Sequence, residues 1–206
     1  HYGAGPTTST DPDYQGEALV EPDYLGADSD GDGITDFVEV VFTGTDPLDA
    51  DSDDDGLNDA EEVYGLDGIE GTPDDATATD PLDTDSDDDG IADGDEVNGT
   101  NGFAITDPND PDTDDDDLND GLEQGVSTRY PDAGRTSDGI GLPLGGTPAS
   151  TPIDTDPSTG TDPNDADSDG DGIEDGDEDR NLNGRDDGDL PGRVDDETDP
   201  NNPDTD

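Results

Sequence analysis

One acidic pattern of twelve residues recurs five times in this chain, and it limits what the chain can fold into. The copies begin at Asp28, Asp51, Asp85, Asp112 and Asp167. Each copy has Asp at positions 1, 3, 5 and 9, Ile or Leu at position 7, and Glu at position 12. Position 6 is Gly in four copies and Asp117 in the fourth. Offsets that repeat so strictly are typical of repeat proteins, so we expect one local structure built five times.

The composition excludes a conventional hydrophobic core. Only 23% of the 206 residues are hydrophobic, and 64 Asp plus Glu stand against five Lys plus Arg, which gives a formal net charge of −59. Low hydrophobicity with a high net charge would by itself predict disorder, because too little apolar surface is buried to offset chain entropy. A folded chain of this composition needs another source of stability, and metal binding is the one its carboxylates indicate.

The spacing of the carboxylates is that of a calcium-binding loop. Ca²⁺ takes about six to eight oxygen ligands, and an EF-hand loop supplies them from positions 1, 3, 5 and 9, from the backbone carbonyl at position 7 and from a bidentate Glu at position 12. Glycine at position 6 permits the positive φ that turns the chain back. We therefore expect several Ca²⁺ ions, since Mg²⁺ prefers fewer carboxylates and zinc prefers His or Cys.

The predicted metal ligands occupy these positions in every copy. They are Asp28, Asp30, Asp32, Ile34, Asp36 and Glu39; Asp51, Asp53, Asp55, Leu57, Asp59 and Glu62; Asp85, Asp87, Asp89, Ile91, Asp93 and Glu96; Asp112, Asp114, Asp116, Leu118, Asp120 and Glu123; and Asp167, Asp169, Asp171, Ile173, Asp175 and Glu178. A degenerate sixth copy offers Asp179, Asn181, Asn183 and Asp187 but has Leu190 in place of the Glu. Asp204 and Asp206 match the start of a seventh copy, which we expect a continuing chain or a neighbouring molecule to complete.

The residues around the loops predict a fold that is not the EF-hand fold. An Asp-Pro pair precedes most loops and opposes an entering helix. Segments such as IADGDEV predict helical turns that carry the Glu but are too short to be stable alone. The segment DFVEVVF, residues 36–42, is β-branched and aromatic and is compatible with a strand. We therefore predict an elongated rod: a repeat protein with little regular secondary structure, built of tandem EF-hand-like calcium loops with short helical turns and a few short strands.

Insertions fall between the loops and never within them. The chain therefore divides into an N-terminal segment, two calcium repeats, an insertion, two further repeats, a linker rich in Gly, Pro, Ser and Thr that we expect to be a hinge, and a C-terminal part with the fifth, sixth and truncated seventh copies. The boundaries are 1–27, 28–65, 66–78, 79–123, 124–160 and 161–206.

A second set of aspartates lies outside the loops and has two interpretations. One Asp lies five residues before each loop, and another lies two residues before most loops. They could bind a second ion or lend ligands to an adjacent loop, or the Asp before Pro could only cap a turn. These residues are Asp23, Asp46, Asp80, Asp107, Asp162 and Asp199 in the first group, and Asp49, Asp83, Asp110 and Asp165 in the second.

The combined unit resembles a known family. GTDPLDADSDDDGLNDAEEV, from Gly44 to Val63, and its relatives TDPLDTDSDDDGIADGDEV, TDPNDPDTDDDDLNDGLE and TDPNDADSDGDGIEDGDE are similar to the bacterial thrombospondin type 3 repeat. The resemblance implies secreted or cell-surface proteins in which tandem calcium loops form a compact rod or spacer. Residues 1–22, 66–78 and 124–161 lie outside it. The disulfides of the animal repeats have no counterpart here.

The sequence also narrows the classes of function. The negative charge opposes binding to nucleic acid, and no stretch is apolar enough for membrane insertion. There is no Lys, no Cys and no interior His to activate a nucleophile, so we expect no enzyme. We expect an extracellular or cell-surface calcium-binding structural protein, a stalk, spacer or fibre subunit that self-associates; the alternative is a calcium-dependent adhesin or the anchoring module of a larger secreted protein or hydrolase. Asn98 begins a glycosylation sequon, although Asn-Gly also simply marks a turn.

Overall fold

The computed structural model describes residues 26–71, 77–130, 145–179, 182–184 and 198–203. Within these ranges the regular elements are short helices, each of which begins at position 9 of a loop and carries the Glu of position 12. They are α1, Asp36–Val38, continued by a π-helix over Glu39–Thr43; α2, Asp59–Tyr64; α3, Asp93–Asn98; α4, Asp120–Glu123; and α5, Asp175–Glu178. The predicted helical turns are confirmed. The predicted ligands Asn181, Asp187, Asp204 and Asp206 lie outside the described residues.

The first repeat is helical where the sequence was compatible with a strand. Residues 36–42 run through α1 into the π-helix, which returns Glu39 to its own loop with no exposed surface. The β-branched and aromatic residues that suggested a strand remain at the surface, and Phe42 is 73% exposed. Across the described ranges, β pairing amounts to one isolated parallel bridge between Asp83 and Gly145, so the predicted strand pairs are not formed there.

Position 8 of each loop is the residue that precedes the helix. Asn58 forms a capping box with Glu61: its side chain accepts the Glu61 N–H, and the Glu61 side chain accepts the Asn58 N–H. The Asn119 side chain likewise accepts the N–H of Leu122 at 2.9 Å. These caps satisfy amides at the start of α2 and α4, whereas the residues before α1, α3 and α5 form no side-chain cap. In all five loops the N–H of position 9 donates to the carbonyl of the residue just before the loop, and this contact accompanies the constant start of the helices.

The apolar residue at position 7 forms the small core between repeats. Ile34, Leu57, Ile91 and Leu118 are at most 4% exposed, whereas Ile173 of the fifth loop is 37% exposed. Among the described residues, eight apolar side chains are buried, against eighteen buried Asp and Glu. Because hydrocarbon burial stabilises a fold in proportion to its area, a core this small leaves most of the stability to be supplied by the carboxylates and what they bind.

Successive loops stack through a close approach at position 10. Gly94 donates its N–H to the Asp55 carboxylate at 3.1 Å, and Gly176 donates to Asp116 at 2.9 Å. A Cβ on Gly94, Gly121 or Gly176 would lie 2.2 to 2.5 Å from the position 5 carbonyl oxygen of the preceding loop. Glycine is therefore needed at these junctions so that the helix start of one loop can lie against the backbone of the loop before it.

The ends of each insertion meet, and this explains the unequal spacing of the loops. The Thr that precedes an Asp-Pro pair donates its N–H to the carbonyl of the position 12 Glu in the preceding loop. The distances are 3.0 Å from Thr79 to Glu62, 3.4 Å from Thr106 to Glu96 and 3.0 Å from Thr161 to Glu123. Inserted segments of different length can therefore begin after the Glu and end at the Thr without changing how the loops stack.

The described parts of the segment 124–160, which the sequence predicts to be a hinge, lie against the repeats. Loops 4 and 5 contact each other directly through Gly176 and Asp116, in the same way as loops 2 and 3. The described part of the segment packs on the repeats: Gly145 donates its N–H to the Leu82 carbonyl, and the Thr147 hydroxyl donates to Asp85. Gly, Pro, Ser and Thr indicate turns in this segment, but composition does not show that its two ends lie together.

Candidate metal centres

Each loop is curled by hydrogen bonds from its own amides to its own carboxylates. In loops 2, 4 and 5 the position 1 carboxylate accepts the N–H groups of positions 5 and 6, as in Asp112, which accepts from Asp116 at 3.1 Å and Asp117 at 2.9 Å. In loop 1 Asp28 accepts the N–H of Gly31 instead. The position 5 carboxylate accepts the N–H of position 7, at 2.7 Å from Leu118 to Asp116. Position 6 has a positive φ in all five loops, including 76° at Asp117, which confirms the role predicted for the glycine.

The position 9 carboxylate holds the loop closed through position 2. Asp59 accepts the N–H and the hydroxyl of Ser52 at 2.8 and 2.9 Å, and the Asp59 N–H donates to the Ala50 carbonyl at 3.1 Å. Ser29, Ser86 and Thr113 donate in the same way to Asp36, Asp93 and Asp120. In the fifth loop the Ser168 N–H donates to Asp175. The predicted ligand at position 9 therefore has a structural contact in its own loop.

Replacing Ser52 with Ala tests this closing contact. The Ser52→Ala variant leaves one oxygen of the buried Asp59 without its hydroxyl donor, so the free energy of unfolding in saturating calcium should fall by about 2 kcal/mol. Thermal and urea unfolding followed by circular dichroism measure the change. The matched control is Ser150→Ala, at an exposed serine of the segment after loop 4. Equal stability of the two variants would show that the hydroxyl does not hold the loop.

In the first four loops, the position 12 Glu has one oxygen that is buried without a protein partner. Its other oxygen accepts from the hydroxyl of the Thr that begins the next Thr-Asp-Pro triplet, at 3.0 Å from Thr106 to Glu96 and 2.9 Å from Thr161 to Glu123. Glu39, Glu62 and Glu96 have no exposed surface, and Glu123 is 2% exposed. In all four residues Oε2 is buried and has no hydrogen-bond partner.

Besides the unpartnered Glu oxygens, the loops contain clusters of the carboxylates predicted as ligands at positions 1, 3 and 5. One carboxylate oxygen from each of positions 1, 3 and 5 lies within 4.8 Å of the other two in the first, second and third loops. Asp87 and Asp89 also each have a buried oxygen without a partner. Buried carboxylate oxygens without donors are costly in a native structure, and a hard cation that takes oxygen ligands relieves that cost. The carboxylates at positions 1, 3 and 5 of these three loops are thus brought together, and in the second and third loops the Glu of position 12 lies beside position 5. Such a group of oxygen ligands fits Ca²⁺.

Burial and mutual repulsion raise the pKa values of these carboxyl groups strongly. Burial, followed by the nearby charges of Asp87 and Asp85, raises the pKa of Asp89 to about 9. Burial and then Asp89 and Asp87 raise the pKa of Glu96 to about 11. Without a cation, such groups at neutral pH either keep a proton or carry a charge that the fold disfavours.

The stability of the ion-free protein should decrease as the pH rises, because these pKa values are raised in the folded state. Because the folded pKa values lie above those of exposed Asp and Glu, protons bind the folded state more tightly, so the contribution to stability is present below about pH 4 and is lost as the pH rises toward 9. We expect the radius of gyration of ion-stripped protein, measured by X-ray scattering, to increase from pH 5 to pH 9. The calcium-saturated protein, as the control, should keep its radius between pH 7 and pH 9. An ion-free radius that does not change with pH would contradict this expectation.

The aspartate five residues before a loop forms a turn. Asp46 accepts the N–H of Leu48 on its side chain at 3.1 Å, and its carbonyl accepts the N–H of Asp49 at 2.9 Å. Its own N–H donates to the Ser52 hydroxyl at 2.9 Å. Asp80, Asp107 and Asp162 repeat these contacts. Of the two interpretations left open by the sequence, these contacts support the turn.

The sixth copy begins as a loop of the same kind. Asp179 is 4% exposed and accepts the N–H of Asn183 at 3.0 Å and of Gly184 at 2.7 Å, as position 1 does elsewhere. The described part of the inserted segment lies against it, since Thr155 donates its N–H to the Asn183 carbonyl at 3.0 Å. This copy therefore shares the curl, and its ligand set remains a prediction.

Three kinds of residue were not identified from the sequence as part of the site. They are the Ser or Thr at position 2, the Thr of the Thr-Asp-Pro triplet and the Gly at position 10. The Ser or Thr residues recur at fixed offsets, and the Gly recurs in loops 3 to 5, so the sequence contained the signal. Their roles depend on which groups meet across a loop or between two loops, and spacing alone does not show this.

Comparison with known proteins gives one family match. Residues 28–50 and 51–64 match the family model described as the bacterial TSP3 repeat, where TSP3 stands for thrombospondin type 3. Neither the search of curated proteins nor the search of solved structures found a match. Loops 3 to 5 lie outside the matched residues but share with loop 2 the hydrogen bonds from the N–H of position 6 to the carboxylate of position 1 and from the N–H of position 7 to the carboxylate of position 5. None of the described helices has the length and hydrophobicity to cross a membrane.

Proposed function

From the premise that residues 28–64 of this chain are bacterial thrombospondin type 3 repeats, which are calcium-binding modules, we propose that the protein is an extracellular, non-enzymatic structural rod. In this role it serves as a stalk, a spacer or the subunit of a surface fibre. Repeats of this family occur in extracellular proteins, where free calcium is abundant enough to fill sites of modest affinity.

The stacking of the loops is the observation that carries this proposal. Contacts at position 10 join loop 3 to loop 2, loop 4 to loop 3 and loop 5 to loop 4. Ala60 takes the place of that glycine in loop 2 and lies against Gly33 of loop 1. A protein in which each unit contacts the next in one fixed way grows in length with every unit, as repeat proteins do.

Calcium supplies the cohesion that the small apolar core lacks. When an ion is bound by the native state alone, its binding free energy adds to the free energy of unfolding, by about 2.7 kcal/mol at a hundredfold excess over the dissociation constant. Several ions in series therefore give the rod a stability that depends on the calcium concentration outside the cell.

Electron microscopy and X-ray scattering of the purified chain in millimolar calcium test the proposal. We expect a maximum dimension well above that of a sphere of equal mass, together with uniform fibres if the chain is a fibre subunit. A compact sphere in calcium would exclude the rod.

A binding module is the second candidate function, and a cavity favours it. The cavity has a volume of about 330 Å³ and is lined in part by Phe103, Arg129 and Tyr130. Aromatic rings beside a cation are suited to a polar organic ligand. Dispersed monomers that bind a carbohydrate or a protein in calcium would favour this function over the structural one.

A further inference from the structure

The position 9 carboxylates of loops 3 and 4 lie beside the position 5 and position 12 carboxylates of the loop before them. One carboxylate oxygen from each of Asp55, Glu62 and Asp93 lies within 4.8 Å of the other two, although Asp93 belongs to the third loop. Asp89, Glu96 and Asp120 form the same arrangement one repeat further along. The grouping is therefore a property of the junction between repeats.

The junction clusters contain buried oxygens that have no partner in the described structure. Glu62 and Glu96 have no exposed surface, and the Oε2 atom of each accepts no hydrogen bond. The second oxygen of Asp89 is also buried and unpartnered. All six carboxylates are at most 8% exposed. Three buried acidic groups with an unpartnered oxygen among them need a cation or protons to be stable.

The junction is held by backbone contacts that fix the position of the incoming carboxylate. Gly94, which follows Asp93, donates its N–H to Asp55, and the Ser86 side chain and N–H hold both oxygens of Asp93. A carboxylate oxygen that accepts one hydrogen bond keeps a lone pair for a second contact. Asp93 is thus positioned by its own loop and presented to the loop before it.

We propose that Asp93 and Asp120 are calcium ligands of the preceding loops, so that each of these ions is bound by two consecutive repeats. The inference rests on the proposed calcium function and adds a consequence to it. Calcium bound at a junction holds two loops in register, and a loop without a folded successor binds calcium more weakly.

A set of single and double variants tests the sharing of one ion. Native mass spectrometry counts the calcium ions retained at a free calcium concentration that just saturates the unmodified protein. Glu62→Gln should lose one ion. If Asp93 binds that same ion, the Glu62→Gln and Asp93→Asn double variant should retain as many ions as Asp93→Asn alone. If the double variant loses one ion more than Asp93→Asn, the two residues serve different ions and the inference is wrong.

Two matched controls separate ligation from loop closure. Asp36 makes the same contacts with Ser29, but the described residues place no calcium loop before it. Combining Asp36→Asn with Glu62→Gln should therefore lose one ion more than Asp36→Asn alone. Ser86→Ala weakens the closure of loop 3 but keeps the Asp93 carboxylate, so it should retain the ion that Glu62→Gln removes. Loss of that ion in Ser86→Ala would assign the effect to the folding of loop 3.

The same experiment keeps the inference distinct from the proposed function. If Glu62→Gln retains every ion, the second loop holds no calcium through its Glu, and both the calcium function of that loop and the junction site fail. If Glu62→Gln loses an ion and the losses with Asp93→Asn add, calcium binding stands and only the sharing fails.

Discussion

Removal of calcium is expected to expand this chain to the dimensions of an unfolded polypeptide, with a radius of gyration approaching about 49 Å for 206 residues. The described part of the molecule buries eighteen acidic side chains and only eight apolar ones. Once the ions leave, closely spaced carboxylates at neutral pH repel one another, and the small apolar core of the described residues is not enough to oppose the gain in chain entropy. X-ray scattering in calcium and in chelator measures the change.

Added sodium chloride, which screens charge repulsion without replacing calcium, is the control for this result. Sodium chloride at an ionic strength of about 0.15 M reduces repulsion between exposed charges over about 8 Å but provides no ion suited to the buried oxygens. The chelated chain should therefore stay expanded in salt and become compact again only when calcium is restored. A radius that is the same in chelator and in calcium would refute the metal-dependent fold.

Replacing Glu96 with Gln should have the largest effect of any single substitution in the loops. The Thr106 hydroxyl holds one oxygen of Glu96, and the other oxygen lies buried without a partner near Asp87 and Asp89. The Gln side chain keeps the shape but removes the charge and the bidentate ligand. We expect the affinity of the third loop for calcium to fall by about a hundredfold or more, with loss of about 2.7 kcal/mol or more of stabilisation.

Calorimetric titration and native mass spectrometry measure this loss as a weaker site and as one ion fewer. Glu70→Gln is the matched control, because it removes the same charge from an exposed side chain whose position lies outside the loops. If both variants bind calcium as the unmodified protein does, Glu96 is not a ligand.

Much of the candidate site can be predicted from the sequence because the chemistry is local. Positions 1, 3, 5 and 6 lie within one curl of the chain, where alternation and a positive φ decide which side chains point inward. The helical turn that carries Glu62 or Glu96 also lies within the same twelve residues. Tandem repetition then supports the same interpretation five times over.

The strand suggested for residues 36–42 shows the limit of local propensity. Val40, Val41 and Phe42 favour extended structure in general, but the fold buries Glu39 beside Asp30 and Asp32 of its own loop, and a helix places it there. The described loops provide no sheet for these residues to join, so no neighbouring strand stabilises an extended conformation.

The sequence by itself determined the repeat, the acidic positions 1, 3, 5 and 12 of each loop, and the small share of apolar residues available for a core, because each follows from residue types alone or at fixed short separations. Only the tertiary structure decided how the loops stack, that the segment 124–160 leaves and rejoins the stack at neighbouring points, and that Asp93 lies beside Glu62 of the preceding repeat. These contacts join residues separated by tens of positions, and a periodic sequence looks the same whether consecutive units touch or stand apart.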